Sequence, residues 1–574
     1  MDVLASTRLY ISEMVKIAGP QMKVMLLDKE TTSIVSCAYA QSDMMQKEVY
    51  LFERLDSPHQ RETIKHLKCI VFIRPTPENI QLLASELRNP KYAQYYIYFS
   101  NVVSKTDVKT LAEADEHESV REVHEFFSDS VPLCSHLCSM NLSFPYENSM
   151  GLLAASAFLR IKQSIVGLLL QLKKKPTIRF VIQSSIRFNV KRACKKTTAT
   201  AVQCGCGGNS QKKLQVIRRE ESLFESASSE SLLIILDRSD DPVTPLLNQW
   251  TYEAMVHELI GFSGTQRVQL DGQSIILSEQ YDEFFRKNVN SNFGEIGQNI
   301  KSLMNEFQQK SQIHKNLESI SDMKNFVEEY PQFKKISGTV TKHVGLVSEL
   351  SKIVSAQNLL EISEVEQTIV SGGDHSKCLE RIKSLLNNPK TTQLNALRLL
   401  LLYSLRFETY PNNEITALSR TVDSKAGSRE FRATELVRTI LRFGGASRRK
   451  SDLFGDGSTI EMTKRFIKGI KGVENIYTQH EPHIKQIVEL LTKAKLPEQN
   501  YGYISADGLM ANTRYENVII YMIGGLTFEE SAVARAANER RATGQGGPAI
   551  LLASNQMHNA HSFMSMLSHM GVHK

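Results

Sequence analysis

Four stretches near the start of the chain, Lys23–Asp28, Val49–Glu53, Lys68–Arg74 and Gln94–Phe99, are short runs nearly continuous in Val, Ile, Leu, Phe and Tyr. No other feature limits the fold as strongly. A strand with one wet face alternates polar and apolar residues, whereas a short unbroken run suits a strand buried on both faces of a parallel sheet. Helical patterns precede and separate the runs, so strands and crossover helices alternate. The third run ends at Arg74-Pro75-Thr76-Pro77-Glu78, where Thr76 can cap a helix whose first position is Pro77. Residues 1–140 are therefore expected to form a doubly wound open sheet.

The pattern then changes. A helix and a strand, Thr177–Ile182, follow from about residue 150, and Leu232–Asp237 is another buried strand. Beyond it the chain reads as helical, with helices expected at Pro245–Ile260, Gly294–Lys310, Ser319–Glu329, Thr341–Ser355, Leu359–Val370, Thr392–Phe407 and Glu430–Phe443. Leu346, Leu350, Ile353 and Val354 recur at helical spacing. Strands return only at Val518–Ile523 and Ala549–Ala553. Buried parallel strands rarely stand alone, so the end of the chain is expected to complete the sheet begun at 177–237. The fold class is α/β: two open parallel-sheet α/β domains plus a large, mainly α-helical insert. The boundaries are 1–135 for the first domain, 136–240 with 472–574 for a discontinuous second, and 241–471 for the third. Residues 184–213, rich in Lys, Thr, Ser and Gly with no clear period, read as a loop or disordered segment.

Charge and cysteine usage bound the function. Lys and Arg number 69 against 62 Asp and Glu, a net +7 on 574 residues. The basic runs, Lys173-Lys174-Lys175 and Arg448-Arg449-Lys450, are short and read as solvated surface, so no nucleic-acid partner is expected. The start, MDVLASTRLYISEM, has no basic segment followed by an apolar block, and eight scattered cysteines fit reduced thiols in the cytosol. Gly151–Leu172 is the most apolar stretch, but Arg160, Lys162 and Gln163 interrupt it, which suits an amphipathic core helix and not a membrane span.

The chemistry usual for such a scaffold is missing. Asp28-Lys29-Glu30-Thr31-Thr32 follows the first strand with no glycine to admit a phosphate, and neither GxxxxGK[ST] nor a strand-linked GxGxxG occurs. Gly524-Gly525 follows a strand, but Glu529 and Glu530 in the next helical turn would repel a phosphate, so a tight turn is expected. Asp237, Asp240 and Asp241 could hold magnesium for phosphotransfer. The haloacid-dehalogenase pattern needs the second Asp two positions after the first, so capping roles are the better reading. His257-Glu258 lacks the second histidine of HExxH. Cys194, Cys204 and Cys206 lack a second spaced pair, and Cys134 and Cys138 would share a helix face without histidines. No catalytic residue, cofactor or metal is expected.

Residues 232–262 read LLIILDRSDDPVTPLLNQWTYEAMVHELIGF: a strand, D-R-x-x-D, T-P-L-L, then a W-T-Y helix with a long apolar face. This segment resembles the one by which SM (Sec/Munc) proteins are known. KVMLLDKET, VYLFERLDS, YPQFKKISGTVTKHVGLVSELSKIVSAQNLLEISEVEQ, GVENIYTQHEP and MIGGLTFEES are similar to other family segments, in the family's order and across most of the chain. DKETT, QKEVYLFER and GVENIYTQH look closest to the member serving the endosome and trans-Golgi route. Residues 184–213 depart from the family, and Ala553-Ser554 stands near a position where relatives tend to carry glycines.

The resemblance implies an arch-shaped, non-enzymatic, monomeric regulator that handles SNARE proteins in vesicle docking and fusion. It would sit peripherally on Golgi, trans-Golgi and endosomal membranes, reaching them only through its partner. That partner would be a syntaxin-class SNARE, met through its N-terminal peptide and helical region, and the assembled SNARE complex. By family position the peptide pocket falls on the helical region after the fourth strand, at Val108, Leu111, Val120 and Val123; the same spacing also suits the domain's own core. Asp43, Glu53 and Arg54 match positions that face syntaxin helices, or form a solvated charged face. Helices around Phe333-Lys334-Lys335 to Leu350 could template the SNARE bundle. Asp237, Thr244, Trp250 and Glu258 read as structural hinge residues, with Trp250, the only tryptophan, buried.

Overall fold

The four apolar runs at the N-terminus become the parallel strands β1 (Lys23–Leu27), β2 (Val49–Arg54), β3 (Ile64–Ile73) and β4 (Tyr92–Phe99), and a fifth, β5 (Val120–Glu125), joins them in the order β2-β1-β3-β4-β5. Alternate residues of β1, β3 and β4 feed two cores. α1 (Val3–Ile17), α2 (Lys29–Ala38) and α3 (Gln41–Gln46) cover one face, packing Ile11, Met14, Ile34, Val35 and Met44 on Met25, Leu27, Ile70 and Phe72. On the other face α4 (Pro77–Arg88) and α5 (Lys105–Ala114) pack Ile80, Leu83, Leu87 and Leu111 on Leu26, Val71, Ile97 and Phe99. Burial on both sides is why the apolar stretches of β1, β3 and β4 do not alternate, whereas β2, expected to be buried on both faces, lies at the sheet edge with Tyr50 and Leu51 exposed. Thr76 caps α4 through the Asn79 amide at 3.2 Å, with Pro77 in the first turn.

The computed structural model describes residues 1–58, 61–181, 231–262, 266–315, 320–424, 430–449, 453–454, 479–503 and 514–572, and all their side chains except those of 310, 312–333 and 572. The segment 184–213, with Cys194, Cys204 and Cys206, lies outside the described residues, as does most of 472–482.

A second, seven-stranded sheet draws on distant parts of the chain. Its strands are β6 (Val131–Cys134), β7 (Leu137–Ser139), β8 (Thr177–Val181), β9 (Ser231–Asp237) and, beyond a small hairpin of β10 (Arg267–Leu270) and β11 (Gln273–Ile276), β12 (Tyr501–Tyr503), β13 (Asn517–Ile523) and β14 (Ala549–Ser554). The order is β12-β8-β9-β13-β14-β7-β6, parallel except for the edge strands β6 and β12. β13 pairs with β9 along its length, Val518 opposite Leu232 and Ile523 opposite Asp237, so the late strands do join the earlier ones. α6 (Ala155–Gln171) leads into β8.

The chain forms two compact units: 1–239, 484–526 and 533–557 in one, and 240–483, 527–532 and 558–574 in the other. The first holds both sheets. The second is mainly helical, with α7 (Tyr252–Met255), α8 (Glu283–Asn288), α9 (Phe293–Lys315), α10 (Ile320–Ala356), α11 (Leu359–Val370), α12 (His375–Asn387), α13 (Gln393–Phe407), α14 (Ile415–Ser424) and α15 (Ala433–Gly444). α16 (His483–Thr492), α17 (Phe528–Ala542) and α18 (Ala560–Val572) complete the chain.

Several expectations need correction. Residues 120–125 are an edge strand, not part of a helical region. Cys134 and Cys138 lie on the antiparallel β6–β7 pair, not on one helix face. Ser319–Glu329 and Thr341–Ser355 belong to the single helix α10. The helix expected at Pro245–Ile260 is broken into a 3-10 turn at Thr244–Leu246, the short α7 and a π-turn at Val256–Ile260. The break has a cause: the Asn248 amide donates to Glu366 at 2.9 Å instead of to a carbonyl one turn back.

Candidate functional site

An open parallel sheet offers a ligand crevice beyond the carboxyl ends of its strands, where strand order reverses; for the order 2-1-3-4-5 that point lies between β1 and β3. Here it is filled from within. Asp28, ending β1, accepts from the amides of Thr31 (2.7 Å) and Arg74 (2.6 Å) and from Asn79 Nδ2 (2.8 Å). Arg160 of α6 bonds Asp129 at 2.6 Å and Glu30 at 2.9 Å, Asn101 Nδ2 bonds Asp129 at 2.7 Å, and Arg74 Nη2 bonds Gln163 at 2.9 Å. Asp129 and Arg160 are both buried. Burial pushes the Asp129 carboxyl up, opposed by Arg160, Arg74 and the Asn101 hydrogen bond. In the sequence Arg160 stands out only as an interruption of an apolar stretch. A charge within an apolar helix is also the signal of a buried partner.

The second sheet is closed similarly. Tyr146 Oη lies 3.3 Å from Asp237 Oδ1 and 3.2 Å from the Ile523 carbonyl, between the ends of β9 and β13. Arg238 Nε and Nη2 donate to the Gly525 carbonyl at 3.1 and 2.9 Å. Gly524 (φ +90) and Gly525 (φ +99) turn the chain there, and the Gly524 amide donates to Asn555 Oδ1 at 2.7 Å. Tyr146 and Arg238 thus occupy the space a phosphate would need. Asp237 also accepts from the Ser239 amide at 2.9 Å, a turn-fixing role. Among the described residues no group of three or more His, Cys, Asp or Glu could hold a metal ion, and no helix is long and apolar enough to cross a membrane.

The residues assigned to a SNARE-facing cleft separate. β2 is an edge strand, and successive side chains point to opposite faces. Glu53, opposite Leu26, accepts from Tyr92 Oη at 2.7 Å. Arg54, opposite Leu27, makes a bidentate pair with Asp56 at 2.9 and 2.6 Å. Asp43 lies on α3, half-buried. Of the three, Arg54 is the exposed charge.

The peptide-pocket residues divide between core and surface. Leu111 is buried and Val120 packs against the same core, whereas Val108 and Val123 are 38% and 43% exposed, beside Val102 at 55%. A register shift between Tyr95 and Tyr96 sets Val120 opposite Tyr95 and Val123 opposite Ile97. The bulge turns both valines to the face that carries α5, although they stand three residues apart. An apolar strip with a buried floor and exposed rim results.

In the helical unit, Thr244 Oγ1 donates to Asp241 at 2.6 Å, and Asp241 also accepts from the amides of Val243, Thr244 and His483. Trp250 is buried, its Nε1–H on Ser363 Oγ at 2.8 Å. Glu258 pairs with Arg398 and accepts from the Ala560 amide that opens α18. Arg398 also bonds Asn248, whose side chain donates to Glu366 at 2.8 Å. Burial pushes Glu366 up to about 7 against the pull of Arg398 and the Asn248 donors. Further along α10, His343 bridges Tyr252 Oη (2.7 Å) and Asp282 (2.9 Å), with Lys342 also on Asp282. Burial raises Asp282, but the hydrogen bonds and charge of His343 and Lys342 outweigh it and hold the carboxyl well below its usual range. Lys334 and Lys335 are exposed on α10, while Leu346 and Leu350 are fully buried.

Comparison with known proteins places these features in context. A model of the Sec1 family matches residues 23–566. Vacuolar protein sorting-associated protein 45 of Homo sapiens is 45% identical over 583 residues, covering 100% of this chain and 97% of that protein. The solved SM protein Vps45 in complex with the Qa SNARE Tlg2 is 36% identical with a TM-score of 0.85, covering 100% of this chain and 99% of that one. Sly1p in complex with an N-terminal peptide of Sed5p, 16% identical with a TM-score of 0.71, shares the fold; 100% of this chain and 98% of that one are covered.

Proposed function

This chain belongs to the Sec1 family, SM-type regulators of SNARE-mediated vesicle transport, and we propose that it binds a syntaxin-class Qa SNARE and promotes assembly of the SNARE complex. It does so without catalysing a reaction, on the endosome and trans-Golgi route toward the vacuole or lysosome. The observation that carries this reading is the end-to-end likeness to a relative solved with a Qa SNARE. The closed crevices support it, since side chains of the chain itself occupy the places where an α/β enzyme of this topology holds substrate.

Two surfaces divide the work. The strip of Val108 and Val123 over Leu111 and Val120 receives the SNARE's N-terminal peptide, because exposed apolar anchors over a packed floor suit a short amphipathic ligand. Arg54, on the edge of the first sheet, meets the helical region, where charge complementarity sets partner choice and on-rate more than affinity. The test is calorimetric titration of the purified chain with the cytosolic region of Qa SNAREs. Saturable binding without nucleotide is expected. Failure to bind any member of a Qa SNARE panel would overturn the reading.

A further inference from the structure

Three helices of the sheet-bearing unit end alike. After α6, Lys173 turns left-handed (φ +51) and the Lys174 amide reaches back to the Leu169 carbonyl. After α16, Ala494 (φ +53) turns and the Lys495 amide bonds the Leu490 carbonyl; after α17, Gly544 (φ +82) turns and the Gln545 amide bonds the Arg540 carbonyl. Each is a Schellman-type stop, and each carries cations: Lys173 to Lys175, Lys493 and Lys495, Arg540 and Arg541. One cation per end would answer the helix dipole. Every end here has more.

Topology gathers these ends on one edge. α6 delivers the chain to the start of β8 and α17 to the start of β14, and β8, β9, β13 and β14 run parallel. A Cβ on Gly547, just before β14, would meet Thr492 Cγ2 at 3.4 Å, so the end of α16 lies beside it. Lys174 and Arg541, from different helices, both act on the amino group of Met1. Arg514 precedes β13. Among the described residues the acids of these segments are Asp2, which acts on the same amino group, Glu489, which Lys493 pairs at 3.9 Å, Glu498, Glu516 and Glu539, and the described cations outnumber them. Lys173, Lys493, Lys495, Arg540 and Arg541 are exposed.

We propose that this edge, the amino-terminal rim of the second sheet, rests on the headgroups of an anionic bilayer. The cations stand on turn tips along a rim, a shape that meets a plane and does not wrap a strand of nucleic acid. Each Lys or Arg near an anionic surface adds a small attraction that salt screens, which gives a weak, salt-sensitive contact that adds to recruitment by a SNARE. The proposal does not rest on the SNARE reading.

Cosedimentation of the full chain with phosphatidylcholine vesicles, with and without phosphatidylserine, tests it. Binding only to the phosphatidylserine vesicles is expected, weakening as salt rises. Combining Lys173→Glu, Lys175→Glu and Arg541→Glu should reduce it at least about tenfold, while Lys377→Glu in the helical unit leaves it unchanged. An unaltered melting temperature and far-ultraviolet circular dichroism spectrum show that the triple variant is folded; if it is not, the Gln versions of the same substitutions take its place. Equal sedimentation with both vesicle types, sedimentation with neither, or full binding by the folded rim variant overturns the proposal.

Discussion

At the scale of single residues, the chain places charge where water does not reach and satisfies it. Arg160 and Asp129 show the consequence. Arg160→Met leaves a carboxylate buried with reduced compensation and should cost about 3 kcal/mol in urea denaturation, with Asp129→Asn similar. Gly524 is a second constrained position, since a Cβ there would collide with the Tyr146 hydroxyl and sit 2.8 Å from Arg238 Cβ, at a φ of +90 that disfavours any side chain. Glu366 gives a pH signature. Its folded pKa, about 7, lies above the 4.5 of an unperturbed glutamate, so the folded chain holds this proton more tightly than the unfolded one. The associated stability is complete below about pH 4.5 and is lost as pH rises through 7, about 3 kcal/mol in all. Denaturation midpoints across that window should therefore fall more steeply in the parent chain than in Glu366→Gln. Parallel curves would show that the side chain titrates elsewhere.

At the scale of elements, α5 and β5 decide what the apolar strip can do. An amphipathic helix gives valine and leucine positions of equal standing in the sequence, but the structure does not treat them equally. Leu111 sits in the core, so Leu111→Arg, which at first sight probes a binding pocket, instead probes folding; even Leu111→Ala should cost about 2–5 kcal/mol. Val108→Arg and Val123→Glu alter only the exposed rim. They should weaken capture of a Qa SNARE N-terminal peptide at least about tenfold with little change in melting temperature. Unchanged affinity in a fluorescence anisotropy titration would remove these two valines from the site. The β5 bulge was not legible in advance, because a register shift is settled by the partner strand.

At the scale of the whole molecule, two sheets of enzyme-like topology have their strand ends occupied by the chain's own side chains. Binding of a Qa SNARE should then be indifferent to EDTA, magnesium and ATP. A change of more than about threefold in Kd on adding any of them, roughly 0.65 kcal/mol, would mean that a crevice still admits a ligand. The helical unit contributes differently. The network around Glu258, Arg398 and Glu366 ties α11, α13 and α18 together, and that around His343 and Asp282 ties α10 to α7.

Periodicities were legible in the sequence: three of the four unbroken apolar runs became strands buried on both faces, Thr76 and Pro77 started a helix, and the DRSDDPVTPLLNQW segment pointed to the family. These are local properties, governed by backbone sterics and the spacing of apolar side chains. Tertiary structure alone decided which charges were buried and what they met. Arg160 acquired Asp129 and Glu30 from elements far away in sequence, Asn248 gave its amide to Glu366 and broke an expected helix, and Glu53 and Arg54 were sent to opposite faces of an edge strand. Such outcomes depend on contacts between distant segments, and the free energy of a charge or an unpaired amide is set by its surroundings, which no window of sequence contains.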